Sequence, residues 1–583
     1  MKMEDRNARI AYFSMELGLS KQMPTYCGGL GLLAGDLLYS AADLNLPIVG
    51  VTLLYKKGHF YQKINAGEQQ ELPVHWSHDD FLMRLPQKIA VTIEGRSVAV
   101  QAWGFTIKGN ADVPVIFLDT DLPENSAEDR TITHTLYGGD ERYRIMQEAV
   151  LGIGGVRMLN ALGFESLSLY HMNEGHSALL ALELLSRGGS GEVSEAAVEA
   201  VKKRCIFTTH TPAPSGHDKF EYTLVFNIIG EIVPKKMLMR LGGEDRLNMT
   251  LLALNLSHYV NGVAKKHGEV SSRMFPGYHI ESITNGVNSK RWTSEAFKHL
   301  FDRRLPHWQD DPLQLRKAAH LPDEEVLAAH REAKSRLIDY ANEKANAGFD
   351  YDFFTIGFAR RFTGYKRPTL ILNNIERLKG IANSLGPIQL VFAGKAHPKD
   401  AEGKALIRRV YEVIKSSDDR LRICYLENYD METAMLMTSG VDLWLNNPKP
   451  PQEASGTSGM KAAHNGVPSL STLDGWWIEG CIEGVTGWAI EGSTGSACSS
   501  SVPGSESERR DKEGRSDKND PDMEEAESIY LKLEKMIMPT FYNNNAAWVK
   551  IMKSCISINA SFFNSQRMVK QYVVNAYNTC LGR

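Results

Sequence analysis

The sequence contains no apolar run approaching the ~20 residues needed to span a bilayer, and its first nine residues are polar and charged. Neither a transmembrane helix nor a signal peptide is expected. It also lacks any CxxC pair. Its cysteines, Cys27, Cys205, Cys424, Cys481, Cys498, Cys555 and Cys580, are scattered and odd in number, which speaks against a disulfide framework and for a reducing, cytoplasmic setting. Strong charge of either sign is missing as well. A net charge of -4 gives no global attraction to nucleic acid or anionic membrane, so any anion binding must be local. There is no GxGxxG and no acidic residue placed for a ribose, which argues against a dinucleotide.

What is present is a long chain of ordinary composition. At 583 residues it exceeds what one core holds, ~250–300 residues, and two large domains are expected. Residues 9–15 read as a buried first strand, followed by Cys27-Gly28-Gly29-Leu30-Gly31 and a helical run over 32–45. A strand, a glycine turn and a helix open a Rossmann-like unit, in which the backbone approaches a ligand closely and the helix N-terminus favours an anion. Residues 56–122 alternate short apolar segments with polar turns, an antiparallel β excursion. A long helix is predicted over 137–162. Three polar loop ends, around His176, His210 and Asn285, each follow an apolar run and would line one crevice. His171 and His176 lack the helical spacing and third ligand of a metal site, so no metal is expected.

A second Rossmann-like unit starts at 353–358. It leads into Arg360, Arg361, Lys366 and Arg367 at a strand-to-helix turn, an anion site by local charge. Residues 445–480 form the centre of the chain. Pro448, Pro450 and Pro451 forbid helix, Glu453 to Gly459 is rich in hydroxyls and glycine, and a helical pattern begins near Met460. Lys461 in the first turn opposes the helix dipole, unless it contacts an anion or is bonded covalently to a cofactor. Trp476 and Trp477 read as core or as a stacking surface. Residues 493–522 are almost without apolar side chains and read as a disordered polar insertion.

The wording EASGTSGMK, RRFTGYKR, GGLG, TNG, LENY and DGWWIEG resembles the α-glucan (glycogen and maltodextrin) phosphorylases, the short bacterial and archaeal type most of all. The resemblance covers about residues 9–577. It implies an α/β, GT-B type fold of two Rossmann-like doubly wound domains facing a central cleft. The division expected is 1–287 for the N-terminal domain with its β excursion, 288–350 for a helical bridge, 351–492 for the C-terminal domain, 493–522 for the insertion, and 523–583 for helices packing back on the body. The resemblance further implies pyridoxal 5′-phosphate held as a Schiff base on Lys461, with Arg360, Gly456, Thr457 and Ser458 about its phosphate and Tyr429 nearby. Arg361 and Lys366, with the backbone at Gly29 and Leu30, match groups that hold substrate phosphate. Glu453, Ser455, Gly456, Asn285, His176 and His210 match the glucosyl site, and His210 joins Lys461, Arg361 and Lys366 as catalytic.

The chemistry implied is reversible phosphorolysis: a terminal α-1,4-linked glucosyl unit passes to inorganic phosphate with retention, giving α-glucose 1-phosphate. No Asp/Glu pair stands out as the nucleophile and acid of a retaining glycosidase. The family also leads one to expect a homodimer. The regulatory N-terminal extension of the animal enzymes is not expected, and Arg360 stands where the long-type enzymes have lysine. A nucleotide-sugar-dependent glucan synthase of the same fold and a non-catalytic glucan-binding relative stay open as alternatives.

Overall fold

The computed structural model describes residues 7–187, 193–492 and 520–578. The first sheet has nine strands. In chain order these are β1 (Ile10–Ser14), β2 (Ile48–Leu53), β5 (Met83–Ile93), β6 (Arg96–Ile107), β7 (Val113–Asp119), β8 (Leu169–Asn173), β9 (Cys205–Thr208), β12 (Tyr259–Gly262) and β13 (Glu281–Ser282). Two hairpins stand apart from it, β3 (Tyr61–Asn65) with β4 (Glu68–Leu72), and β10 (Lys219–Glu221) with β11 (Arg246–Asn248). The sheet order is β13-β12-β9-β8-β1-β2-β7-β6-β5. All neighbours run parallel except β7–β6 and β6–β5. The second sheet is wholly parallel: β14 (Phe354–Ala359), β15 (Ile388–Ala393), β16 (Leu421–Leu426), β17 (Leu443–Asn446), β18 (Ser469–Thr472) and β19 (Gly487–Ile490), in the order β16-β15-β14-β17-β18-β19.

The sequence dictates this division. β1 and β14 are continuous apolar runs buried at every position, as central parallel strands covered on both faces must be. β5 alternates buried and exposed residues, as an antiparallel edge with one wet face does. Each parallel strand hands its chain to a loop at its carboxyl end. There lie Glu16 to Gly29 after β1, Glu174 to His176 after β8, Thr209 to Thr211 after β9, and Arg360 to Lys366 after β14. In open α/β sheets ligands bind in that crevice.

Several local expectations change. The excursion over 56–122 is not wholly antiparallel, because β7 pairs parallel with β2. Hairpin β3–β4 leaves the first sheet and docks on the second: Gln62 Nε2 donates to Gly394 O at 2.9 Å, and Gln69 exchanges hydrogen bonds with the backbone of Ala396. The helix expected over 137–162 starts at Glu141, where the Asp140 side chain caps it, and it carries a π-turn over Val150–Gly154. The helix begun by Ser458 is six residues long, Ser458–Ala463. Residues 493–519 of the polar insertion lie outside the described residues. Its last three do not belong to an insertion, since Asp520 caps the helix Pro521–Lys532 and Asp522 pairs with Arg367. The C-terminal helices do return to the body: Tyr572 and Tyr577 reach β9, β12 and β8 through hydrogen bonds to Thr208, Asn261 and His171.

Candidate active site

Two cations of the 360–367 run converge on one buried carboxylate. Glu453 pairs with Arg360 Nη2 at 2.7 Å and with Lys366 Nζ. Burial alone would raise the Glu453 carboxyl, but the charges and hydrogen bonds of Arg360 and Lys366 win and hold it at about 2. Arg367 turns away from this group. It binds Asn447 O and Pro448 O and pairs with Asp522 and Glu525, so it fastens the C-terminal helix to the proline loop. Arg361 differs again. It is exposed and forms no salt bridge among the described residues, although Cys27, Tyr137 and Tyr365 lie close enough to act on its charge.

Asp474 holds the Glu453 loop from below. Its Oδ2 accepts Glu453 N–H at 2.8 Å and its Oδ1 accepts Gly475 N–H at 2.9 Å, while Trp476 N–H donates to Ser455 O at 2.9 Å. Gly475 (φ +56) allows this approach, since a Cβ there would fall 2.5 Å from Ser455 O. Burial, and secondarily the Glu453 charge, raises the Asp474 carboxyl to about 7. Trp476 and Trp477 are both buried and serve as core.

Lys461 projects from the short helix Ser458–Ala463 into a buried site where its Nζ lies 3.6 Å from the centre of the Trp292 ring. It forms no salt bridge among the described residues. Burial lowers its pKa to about 8, with Asp36 partly opposing and Arg291 adding to the fall. Ser458 Oγ accepts from Trp444 Nε1 at 3.1 Å, and Thr457 caps the helix through its backbone only. Among the described residues, several buried polar atoms beside this loop have no partner: Arg360 Nη1, Thr363 Oγ1 and Ser455 Oγ. Tyr429 packs near Arg360 and Tyr26.

On the facing side, Glu174 takes φ +75, a conformation costing ~1 kcal/mol or more. Its carboxylate offsets this by accepting from Gly175 N, His210 N and Thr211 Oγ1. His210 Nε2 lies 2.7 Å from Asn173 Oδ1, an acceptor, so that nitrogen carries the proton. Burial drops the His210 pKa to about 3, and the ring is neutral. His176 faces Asp218 at 3.5 Å, and burial lowers its pKa too. Asn285 is fixed through its backbone by Val263 and Arg567, with Oδ1 buried and without a partner among the described residues. Gly29 begins the helix Gly29–Asp43, whose cap residue Gly28 offers no side chain, and a Cβ on Gly29 would meet open space. Leu30 lies in that first turn. Glu16 organises the loop: it accepts from Cys27 N at 2.6 Å, Gly28 N at 3.1 Å and Tyr137 Oη at 3.0 Å.

The structure thus joins Arg360, Lys366, Glu453, Ser455 and Gly456 in one contact group, sets His176 and His210 beside Glu174, and buries Asn285 and Lys461 apart from both. Sequence reasoning gave no role to Glu16, Glu174, Asp474 or Trp292; only the spacing of Glu174 and Asp474 next to quoted motifs could have flagged them. Among the described residues no group of three or more His, Cys, Asp or Glu is placed to hold a metal ion. No helix among them is long and apolar enough to cross a membrane.

A family model described as carbohydrate phosphorylase matches residues 22–128 and 230–485. The chain is 39% identical to the maltodextrin phosphorylase of Thermococcus litoralis, over 98% of this chain and 71% of that one. It is 34% identical to the glycogen phosphorylase of Aquifex aeolicus, over 98% and 86% of the two chains. With the glycogen phosphorylase of Mycobacterium tuberculosis it shares 33% identity, over 97% and 70%. On this evidence the chain belongs to the carbohydrate phosphorylase family.

Proposed function

We propose that the chain is an α-1,4-glucan phosphorylase, a hexosyltransferase that moves the terminal glucosyl unit of a glycogen or maltodextrin chain reversibly to inorganic phosphate, with retention, giving α-glucose 1-phosphate in the cytoplasm. The names of its relatives support this, and so does one observation above the rest: a buried lysine, Lys461, that forms no salt bridge among the described residues and follows a loop on which two cations converge. In this reading the two sheets are the cores of GT-B type domains over 1–287 and 351–492, with 288–350 bridging them and the C-terminal helices packed across. The enzyme acts as a homodimer.

The residues fit pyridoxal 5′-phosphate. Lys461 is a buried amine with its pKa lowered to about 8, and Arg360 Nη1 and Ser455 Oγ are buried groups without partners among the described residues. Lys461 would hold the aldehyde carbon, with Arg360, Gly456, Thr457 and Ser458 about the phosphate and Tyr429 along the ring. When bound, the group supplies a phosphate whose second pKa is about 6, a proton donor and acceptor at neutral pH. Arg361 and Lys366, with the N–H groups of Gly29 and Leu30, would hold substrate phosphate and offset the repulsion between two anions. Glu453, Ser455, His176, Asn285 and His210 would orient the glucosyl unit. His210, neutral at working pH, positions through a hydrogen bond and carries no charge.

The test is phosphorolysis itself: purified protein, pyridoxal phosphate, maltodextrin and phosphate, with glucose 1-phosphate as the product measured. Turnover of ADP-glucose without turnover of phosphate would overturn the reading. Arg361→Ala separates catalysis from stability. Because Arg361 is exposed and unpaired by salt bridges, the substitution is expected to lower kcat/KM for phosphate by about 10²–10³-fold while the thermal midpoint moves little. Equal rates in the two proteins would remove Arg361 from the phosphate site.

A further inference from the structure

A buried carboxyl pair lies behind His176 and has no part in the reaction as described. Glu148, on the helix Glu141–Ala149, is fully buried, and among the described residues neither of its carboxyl oxygens meets an N–H or hydroxyl donor. Asp218 Oδ2 has no such hydrogen-bond donor either. Arg144 and Glu148, four residues apart on that helix, share one face, and Arg144 Nε lies 3.5 Å from Asp218 Oδ2, so the two carboxyl groups meet around one guanidinium. Two buried carboxyls beside a single guanidinium, with a donor at neither Glu148 oxygen, do not both keep their charge, so one member of the pair is the acid.

The surroundings decide which. Asp218 faces Arg144 Nε and His176 Nε2, each at 3.5 Å. Glu148 has Arg144 on the favourable side and the Asp218 charge against it. We propose that Glu148 and Asp218 share a single proton carried by Glu148, and that the singly charged pair is a positioning device fixing His176 and Arg144 at the glucosyl side of the cleft. Burial first, and the Asp218 charge second, push the Glu148 carboxyl well above the usual range, in keeping with this.

The device extends to the glycine loop. Arg144 stacks on Tyr137, its Cζ 4.6 Å from the ring centre, and the Tyr137 hydroxyl donates to Glu16, which grips Cys27 and Gly28. The Tyr137 and His176 rings lie 5.9 Å apart. A second charge at Glu148 would therefore disturb both the glucosyl side and the loop proposed to hold phosphate. The proton itself is independent of the phosphorolysis reading; its role in positioning His176 rests on it.

The experiment compares the full chain with Glu148→Gln and Glu148→Ala. In infrared spectra at about pH 9, where Asp474 with its pKa of about 7 is ionised, the wild type should show a carboxylic-acid C=O band that shifts in D2O. That band should be missing from Glu148→Gln. The amide that Glu148→Gln introduces still donates to Asp218, so kcat/KM for maltodextrin should stay within about threefold of wild type, while Glu148→Ala loses on the order of 10- to 100-fold. A difference spectrum without the band, or a glutamine variant as impaired as the alanine variant, overturns the proposal. Should the alanine variant fail to fold, the band and the glutamine rescue decide the matter. A wild-type band with no phosphorolysis from any of the proteins would overturn the functional reading, and with it the positioning role, but not the shared proton.

Discussion

Lys461→Ala is expected to yield protein that takes up no pyridoxal phosphate and whose phosphorolysis falls by about 10⁴-fold or more, as when a group acting as a unit with its site is removed. The reason lies in the environment of the amine. With its pKa lowered to about 8 by burial, roughly half of Lys461 is the neutral nucleophile at that pH. A solvent-exposed lysine near 10.5 would be neutral at only about 0.3%. The sign of the linkage also fixes what happens to stability. A lysine whose folded pKa is depressed binds its proton less readily than in the unfolded chain, so it costs stability below about pH 8 and that cost fades as pH rises through the interval up to 10.5. Removing it therefore should not lower the melting temperature of the unliganded protein at neutral pH. Mass analysis after borohydride reduction gives the check: an adduct on wild type and none on the variant. A cofactor adduct on Lys461→Ala would dismiss Lys461 as the anchor.

Glu453→Gln should be the most damaging change to the body of the site. It leaves Arg360 and Lys366 buried with no anion between them, a loss of about 3–5 kcal/mol for breaking one side of a buried ion pair. The pH dependence should change in a defined way. The folded pKa of Glu453, about 2, lies below its ordinary value of 4.5, so it contributes stability above pH 4.5 that is lost as pH falls toward 2. Asp474 works in the other direction: raised from 3.8 to about 7, it contributes below pH 3.8 and loses that contribution as pH rises through 7. Denaturant midpoints measured from pH 2 to 8 should show the acid limb weakened in Glu453→Gln. Wild-type midpoints across that range would contradict the buried triad of Arg360, Lys366 and Glu453.

Much of this was legible from the residues alone. Continuous apolar runs such as those of β1, β8, β14 and β15 announce buried parallel strands, and the polar residues just past their ends mark the crevice. What the sequence could not show is pairing at a distance. Glu453 and Lys366 are 87 positions apart, and Glu148 and Asp218 sit on a helix and a loop with no motif around them. Periodicity reports which face of one element is buried; it does not report which carboxylate meets which guanidinium. Arg367 illustrates the limit. It belongs to the same basic run as Arg360 and Lys366, yet its backbone, in the left-handed region at φ +49, sends it to the C-terminal helix. The docking of hairpin β3–β4 on the second sheet was equally invisible, because its alternation reads the same whichever surface it covers.

The tyrosines near the end of the chain set the order in which it can mature. Tyr577 Oη lies 2.6 Å from His171, 406 residues earlier, and Tyr572 closes the polar cluster of Thr208 and Asn261. At the ~5–20 residues per second of protein synthesis, that separation amounts to roughly 20–80 s. Throughout that interval the first sheet exists on the ribosome with buried polar groups awaiting their partners, so the nascent lobe is held short of its native packing while the second lobe is still being made. The first half of the molecule is the last to be finished.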